Sequence, residues 1–444
     1  MGVALEELRD RVERQGIDLP GMYGAFDFNA IPERLALRPE DETELDTVPR
    51  VNRADFLADQ GLMDLMAAAT MLGDAVCDAY VALIPTHGMH GLITMLRTAC
   101  QGSIDDVEDP PDELRRFITE LETVPAWIDL ELVAEGARLE RISAALLAPF
   151  GVRGAFLATF LNSYAALPMA VTGSLSDKRS AKRVNETAAF FASTVLPGGM
   201  DRNGPGFEAA AMVRLMHSMV RYNALRPERN WDQSVYGVPI PQVDQMPAGL
   251  ITSFLMAVEA VRAKRGYTDD ERAMVEMARY RCYLLGLPEV LLPDDPEGLM
   301  RVFLARAATL RRGYDDSTCG ELVRGTLAAY LRPDTTLKSR VAESFERSFS
   351  TAFFIRAFLG NDANRAAEMG VSLTGADKVR VALGAPFIFG RHRIVSRLNG
   401  VARLQPAIDR YIVRRLNRRL RDYGHAEYRS DAASYTDRRA LVGR

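Results

Sequence analysis

The chain has few cysteines, and their spacing excludes several kinds of site. The four cysteines are far apart along 444 residues and form no CxxC pair. This argues against a zinc or iron–sulfur centre and against a disulfide scaffold, and it is typical of a reducing compartment. The N-terminus has no basic segment followed by an apolar run, so no secretory signal is predicted. We expect a cytoplasmic protein.

The chain also lacks a strong charge of either sign, since 55 basic residues face 59 acidic ones and the net charge is −4. We therefore expect no nucleic-acid partner. There is no P-loop, no GxSxG elbow, no HExxH motif and no pair of ExxH motifs for a di-iron bundle. The segment GPGFEAA from Gly204 is superficially similar to a dinucleotide-binding turn, but no strand precedes it and Pro205 interrupts it.

Alternation of apolar and polar residues with a period of two is almost absent outside short segments. Apolar residues instead recur at spacings of three and four, which predicts an all-α fold, a multi-helix bundle. With 444 residues the chain is long enough to bury a sizeable core. We predict an N-terminal arm over residues 1–50, a helical domain over 51–385, and a basic amphipathic helix and tail over 386–444.

One long segment has almost no charge. Between Ile142 and Leu175 the only charged residue is Arg153. A run of this length is compatible with a membrane span, but Asn162 and Pro168 weaken that interpretation. We expect a buried central helix that is hydrophobic all round and lines a pocket for an apolar substrate.

Histidine is scarce as well, and one of the five histidines has an unusual setting. His217 lies in an apolar helical segment, with Arg214 three residues before it and Arg221 four residues after it, so all three share one helix face. An imidazole of this kind suits the iron of a haem, and the guanidiniums suit its carboxylates. Two alternatives stay open: a buried histidine without a metal, and arginines that pair with acidic residues of the protein.

A second polar cluster lies on an earlier helical segment. Arg183, Glu186 and Thr187 are spaced so that they share one face. The alternative to a functional cluster is an intrahelical Arg183–Glu186 ion pair beside a threonine bonded to the backbone.

The C-terminal part is basic. From Arg391 onwards fourteen arginines face five acidic residues, and between Val401 and Leu420 an apolar stripe lies opposite the arginines. Such a helix can make peripheral contact with an anionic membrane, or it can dock on the protein's own core with solvated arginines. Because the terminal helices are amphipathic, we also expect a homodimer.

Several short motifs follow one another between Leu72 and Pro293. They are LGDAVCDAYV, VPAWIDLELVAEG, RVNETAAFF, VRLMHSMVR, YGVPIPQVDQ and YRCYLLGLPEVLLP. In this order they are similar to the GDPxADAxV, PxW[IV]D, RxxxT, VRxxHaxvR, GxP[IV]xQ and LLG[IV]xxxLP segments of one family. The chain thus resembles the latex clearing protein (rubber oxygenase) and mpaB-type oxygenase family.

The resemblance implies a globin-like helical core that binds haem b (iron protoporphyrin IX). It implies that His217 is the proximal iron ligand and that Arg183 and Thr187 lie on the distal side of the haem. It also implies that three further arginines help to hold the cofactor or the local fold, namely Arg214, Arg221 and Arg347.

Two positions depart from the family pattern. Rubber oxygenases carry a lysine just before the threonine, where this chain has Glu186. They carry a catalytic glutamate sixteen residues before the arginine, where this chain has Leu167, and no Asp or Glu lies between Glu140 and Asp177. Rubber cleavage is therefore not expected, and Glu186 is the one candidate to replace the missing carboxylate.

The sequence as a whole predicts a haem-dependent oxygenase. Its substrate would be a hydrophobic small molecule of the isoprenoid, lipid or polyketide-like class, its oxidant O₂ or a peroxide, and its reaction an oxidative cleavage of a C=C bond. Two alternatives remain at this point: a non-enzymatic haem carrier or sensor, and a haem-free helical interaction protein.

Overall fold

The computed structural model describes residues 2–48, 51–171 and 177–424. Over these ranges the chain is helical, and its β contacts are two isolated antiparallel bridges, Leu35 with Leu310 and Thr43 with Arg311. The predicted all-α fold is confirmed. The contacts divide the chain into two units, each built from two segments. Unit 1 is Met1–Gly136 with Asp201–Gly313, and unit 2 is Ala137–Met200 with Tyr314–Arg444.

Unit 1 contains the helices of the N-terminal segment and those that follow residue 200. The first group is α1 (Gly2–Asp18), α2 (Pro20–Tyr23), α3 (Arg53–Leu57), α4 (Gln60–Thr70), α5 (Ala75–Val81), α6 (Ile84–Gln101) and α7 (Asp112–Glu122), and then α8 (Leu130–Leu146), which runs across the boundary between the units. The second group is α12 (Pro205–Ala224), α13 (Gln233–Tyr236), α14 (Gln242–Arg262), α15 (Asp269–Leu284) and α16 (Pro296–Thr309). Short 3₁₀ turns cover Glu44–Thr47, Ile104–Asp106, Pro227–Arg229 and Glu289–Leu291.

Three helix pairings organise unit 1: α12 packs on α5, and α14 packs on both α15 and α16. The α14–α16 contact includes Phe254 stacked on Phe303, with ring centroids 4.3 Å apart. The first helix, α1, buries Leu8 and Val12 and packs on α4. The beginning of the predicted N-terminal arm is thus packed into unit 1, because the apolar face of α1 is buried there.

Unit 2 contains α9 (Ala148–Ala158), α10 (Ser163–Val171), α11 (Asp177–Thr194), α17 (Glu321–Ala328), α18 (Leu337–Phe358), α19 (Ala363–Glu368), α20 (Gly375–Asn399) and α21 (Gln405–Tyr423). A single π turn, Asp316–Gly320, precedes α17. Helix α18 packs most extensively on α9, and Gly154 lets the two backbones approach closely. A Cβ atom at Gly154 would lie 2.4 Å from the carbonyl oxygen of Ser350.

The segment with almost no charge is divided among several helices, so the predicted single central helix is wrong. Its first residues end α8, and α9 and α10 follow as separate helices. Pro149 lies in the first turn of α9, where proline favours a helix start. Asn162 accepts hydrogen bonds from the backbone N–H groups of Tyr164 and Ala165, which starts α10 anew.

Within the described ranges, no single helix combines the length and apolar character that a membrane span requires. Two sharply bent helix pairs meet that test by length and composition alone. They are Gln60–Val81 with Ile84–Gln101, bent by 90°, and Leu130–Leu146 with Ala148–Ala158, bent by 95°.

Thr268 caps α15, since its hydroxyl accepts the N–H of Glu271 while the Glu271 carboxylate accepts the N–H of Thr268. Helix α14, by contrast, begins at Gln242 without a side-chain cap and accommodates Pro247. Pro247 removes one backbone donor near the helix start, a smaller cost than in a helix centre.

Helix α20 runs without a break through residue 386, the predicted start of the C-terminal part. Helix α21 packs on α11 and α20 and buries Ile412 and Leu416 of the predicted apolar stripe. At least part of the apolar stripe is thus buried inside unit 2, which corresponds to the alternative in which this helix docks on the protein's own core. Residues 425–444 of the predicted tail lie outside the described residues.

The docking of α21 predicts a stability effect. Leu416 is completely buried, so Leu416→Ala should lower the free energy of unfolding by about 2–5 kcal/mol. Leu404 is 42% exposed just before α21, and Leu404→Ala should change stability by less than about 0.5 kcal/mol. Urea unfolding followed by far-UV circular dichroism measures both. Equal stability of the two variants would contradict the packing of α21.

Candidate functional site

Helix α12 carries His217 and its two neighbouring arginines. His217 is half-buried, whereas Arg214 is 3% exposed and Arg221 is fully buried. Buried guanidiniums are costly unless carboxylates neutralise them. The partners of these arginines therefore decide how α12 is held in unit 1.

Arg214 forms a bidentate pair with Asp74, the N-cap residue of α5. Its Nε lies 2.5 Å from Asp74 Oδ2 and its Nη2 lies 2.8 Å from Asp74 Oδ1. A third contact joins Nη2 to the Glu120 carboxylate of α7. This fork geometry matches the strongest kind of charged hydrogen bond between side chains.

Arg221 is held by Asp78, one helical turn after Asp74. Its Nε lies 2.9 Å from Asp78 Oδ1, and its Nη1 and Nη2 donate to the Ile240 carbonyl and the Ser218 hydroxyl. Asp78 Oδ2 also accepts the Tyr23 hydroxyl at 2.5 Å. Every residue of this cluster belongs to unit 1.

Burial and charge shift the pKa values of these groups in different directions. Burial acts to raise the pKa of Asp74, but Arg214 and Arg221 outweigh it and hold that pKa below its usual value. Burial raises the pKa of Asp78, and the Asp74 carboxylate adds to this increase. Burial beside Asp78 also raises the pKa of Tyr23 well above its usual value. The Asp74–Arg214 pair is therefore the securely ionised part of the cluster.

The guanidiniums of Arg214 and Arg221 are engaged by carboxylates of the protein, which is one of the two arrangements that the sequence left open. Their assignment as partners of cofactor carboxylates stays a prediction. Sequence reasoning missed Asp74 and Asp78. The signal was present in LGDAVCDAYV, where two aspartates four residues apart face one side of a helix.

Two glycines are required where the chain passes this cluster. Gly286 has φ +92°, and a Cβ atom there would lie 2.9 Å from both Arg214 Nε and Asp74 Oδ2. A Cβ atom at Gly73 would lie 2.3 Å from the Tyr23 hydroxyl. Both positions leave no room for a side chain, which explains the glycines in the LGD and LLG motifs.

His217 is oriented by a relay of hydrogen bonds that begins at the backbone of Gly73. Gln242 Nε2 donates to the Gly73 carbonyl at 3.1 Å, and Gln245 Nε2 donates to Gln242 Oε1 at 2.8 Å. Gln245 Oε1 then lies 2.8 Å from Nδ1 of His217. Gln242 is fully buried and Gln245 is 8% exposed.

The direction of this relay fixes the tautomer of the imidazole. A carbonyl oxygen only accepts, so it orients the Gln242 amide, and that amide in turn orients Gln245. An acceptor therefore faces His217, and the neutral ring carries its proton on Nδ1. The lone pair is then on Nε2, the nitrogen that a metal would take. A histidine that ligates a metal usually donates the N–H of its other ring nitrogen to an acceptor. His217, with Gln245 as that acceptor, therefore fits a haem iron ligand.

The other predicted site residues belong to unit 2. Arg183 and Glu186 of α11 form an i, i+3 ion pair with an N···O distance of 3.5 Å, and their side chains are 13% and 7% exposed. Thr187 is half-buried on the same helix. Arg347 is exposed on α18. The structure thus brings Arg183 and Glu186 together, as the sequence allowed.

The Asp74–Arg214 pair predicts a pH-dependent stability. Asp74→Asn leaves Arg214 buried with reduced compensation and should lower the free energy of unfolding by about 3–5 kcal/mol at neutral pH. Because the folded-state pKa of Asp74 is lowered, the stability that it contributes is present above the unfolded-state pKa of about 3.9 and is lost as the pH falls through the folded-state value. The difference in the free energy of unfolding between wild type and Asp74→Asn should therefore become smaller in that acidic range.

A matched control is available on the surface. Asp64 pairs with the exposed Arg9 at 2.8 Å, and Asp64→Asn should cost about 0–1 kcal/mol at neutral pH. Thermal unfolding of wild type, Asp74→Asn and Asp64→Asn between pH 3 and pH 7 measures these differences in stability. A loss for Asp74→Asn no larger than that of the control would contradict the stabilising role of the buried pair.

Comparison with known proteins gives the family. The model of the family described as "ER-bound oxygenase mpaB/B'/Rubber oxygenase, catalytic domain" matches residues 141–388, more than half of the chain. This match begins and ends later than the predicted resemblance. No curated protein matches significantly.

Among solved structures, "Structure of Latex Clearing Protein LCP in the closed state" is similar in fold. The TM-score is 0.54 at 16% sequence identity, over 79% of this chain and 91% of that one. The resemblance predicted from the order of the motifs is confirmed. The chain belongs to the mpaB and rubber oxygenase catalytic-domain family.

Proposed function

We propose that this chain is a b-type haem-dependent oxygenase that acts on a hydrophobic substrate, with His217 Nε2 as the proximal iron ligand. The observation that carries the proposal is the relay from the Gly73 carbonyl to His217. Family membership supplies the class of reaction, and the relay supplies a reason why this histidine is suited to iron.

A bound haem supplies the redox chemistry that activates O₂ or a peroxide towards an organic substrate. On the proximal side, Gln245 holds a proton at Nδ1 of His217 and prevents rotation of the ring. The acceptor at Nδ1 also increases the electron density on Nε2. Arg214 and Arg221 act indirectly, because they anchor the helix on which His217 lies.

The polar face of α11 is proposed to serve the oxygen side of the reaction. The Arg183 guanidinium and the Thr187 hydroxyl would stabilise an oxygen that gains negative charge, because both can donate hydrogen bonds to it. Glu186, which pairs with Arg183, is proposed to accept a substrate proton at a carboxylate oxygen. It would replace the glutamate that rubber oxygenases carry at the position of Leu167.

The surroundings of this face favour an apolar substrate. Val184, next to Arg183, belongs to a buried cluster in unit 2 that includes Phe156, Phe160 and Phe354. Such a cluster keeps water away from the adjoining part of α11. We therefore propose an isoprenoid, lipid or polyketide-like alkene as substrate and the oxidative cleavage of its C=C bond as the reaction.

The proposal predicts one b-type haem per chain. Purified wild type should show a haem spectrum, with the stoichiometry given by the pyridine haemochrome, and His217→Ala should lose the haem or change its spectrum. His90 is exposed in α6, and His90→Ala should leave the spectrum unchanged. A colourless wild type that does not take up added haemin would contradict the proposal and leave a haem-free interaction protein.

Oxygen consumption separates an oxygenase from a haem carrier or sensor. The loaded wild type should consume O₂ in the presence of an alkene from the active substrate class. Full haem loading without any O₂ consumption, across isoprenoid, lipid and polyketide-like alkenes, would favour a carrier or sensor.

The relay predicts a distinct effect of Gln245. Gln245→Leu removes the acceptor at Nδ1 without removing the ligand, so haem should bind about 10–100-fold more weakly. The iron–imidazole stretching frequency of the ferrous form should also fall. Gln60 is exposed, and Gln60→Leu is the matched control. An unchanged frequency and affinity in Gln245→Leu would show that the relay does not support the ligand.

A further inference from the structure

Unit 2 contains a cavity that none of the proposed haem-site residues lines. It has a volume of about 460 Å³ and is bounded by α18, α20 and α21, with Phe150 of α9. Its size lies within the usual range for small-molecule sites. One part of the wall is charged and the other is apolar.

The charged part carries more positive than negative groups. Three arginines, Arg332, Arg415 and Arg419, line the cavity together with one carboxylate, Glu346. Glu346 lies 2.5 Å from the guanidinium of Arg332 and 2.9 Å from that of Arg419. Asp422 approaches Arg419 only at 4.0 Å. The single lining carboxylate is therefore already shared between two arginines.

Arg415 has no such compensation. Its Nε donates to the Ala145 carbonyl at 3.1 Å, and among the described residues no carboxylate lies within 4.0 Å of its guanidinium. Burial, together with the nearby Arg391, Arg419 and Arg418, lowers the pKa of Arg415 to about 10, although the Glu346 carboxylate acts in the opposite direction. A half-buried cation surrounded by other cations is a site that an anion would stabilise.

The apolar part of the wall leads outwards. Phe150, Phe345 and Ile388 line the cavity together with Leu383 and Phe387 of α20. Leu383 is 63% exposed and Phe387 is 79% exposed, so apolar side chains continue from the cavity to the surface. A small inorganic anion would leave this apolar wall unused.

We propose that this cavity binds a single-chain anionic amphiphile, a long-chain carboxylate. Its head group lies against Arg415 and Arg419, and its hydrocarbon chain lies against Phe150, Leu383 and Phe387. A guanidinium presents two parallel N–H groups that match a carboxylate, which favours this head group. The site is independent of the proposed haem chemistry, since it uses neither His217 nor the polar face of α11.

Calorimetric titration of the full-length protein with oleate, below its micelle concentration, tests the proposal. Saturable binding of one oleate per chain is expected, and Arg415→Gln should weaken it about tenfold or more. Arg414 is exposed on the same helix, and Arg414→Gln removes the same charge as a matched control. Equal binding by the two variants, or no binding by the wild type, would overturn the proposal.

A second variant guards against misfolding of Arg415→Gln. Leu383→Asp places a negative charge at the exposed rim, where it should not disturb packing, and it too should weaken oleate binding about tenfold. Circular dichroism verifies the fold of each variant. Unchanged binding by a folded Leu383→Asp protein would contradict the proposed path of the chain.

Three further ligands distinguish the source of the anion. Acetate and inorganic phosphate should bind far more weakly than oleate, because they lack the chain. Equal affinity for them would identify a simple anion site instead. Binding to phosphatidylglycerol vesicles without saturable binding of monomeric oleate would identify a membrane-facing surface. Either result would overturn the proposed carboxylate site.

Discussion

The structure of unit 1 depends on two buried ion pairs between α5 and α12. Arg214 and Arg221 lie seven residues apart on one helix, and Asp74 and Asp78 lie four apart at the start of the other. Each ion loses several kcal/mol of hydration on burial, and only a well-formed pair compensates for that loss. The two contacts together therefore fix both the rotation of α12 and its position along α5.

This constraint extends to the histidine through a short piece of backbone. Gly73 precedes Asp74 directly, and its carbonyl is the acceptor at which the relay towards His217 begins. Its N–H is also fixed, since it donates to Gln15 Oε1 at 2.6 Å. The same turn thus supplies the carboxylate that holds α12 and the carbonyl that sets the imidazole tautomer. The orientation of His217 and the position of its helix have a common support.

The charges of the buried arginines in unit 2 are compensated in a different way. Arg153 donates to the carbonyls of Thr326 and Ala329 at 2.6 and 2.7 Å and also contacts the Glu343 carboxylate. Backbone carbonyls thus accept several of the hydrogen bonds of Arg153, and burial lowers the pKa of its guanidinium. Nearby, Glu346 is shared by two guanidiniums while a third has no carboxylate of its own. Charge is therefore balanced at Glu343, whereas positive charge is in excess at the cavity that Glu346 lines.

The sequence by itself determined what depends on near neighbours along the chain. Helical periodicity predicted α11 and α12 and the all-α fold, and the order of short motifs predicted the family and His217. Tertiary structure decided the partners. A buried arginine suits an aspartate and a cofactor carboxylate equally well, and Asp74 lies 140 residues before Arg214. Spacing along one chain carries no information about which helices meet, because their packing is decided by the free energy of the whole folded unit.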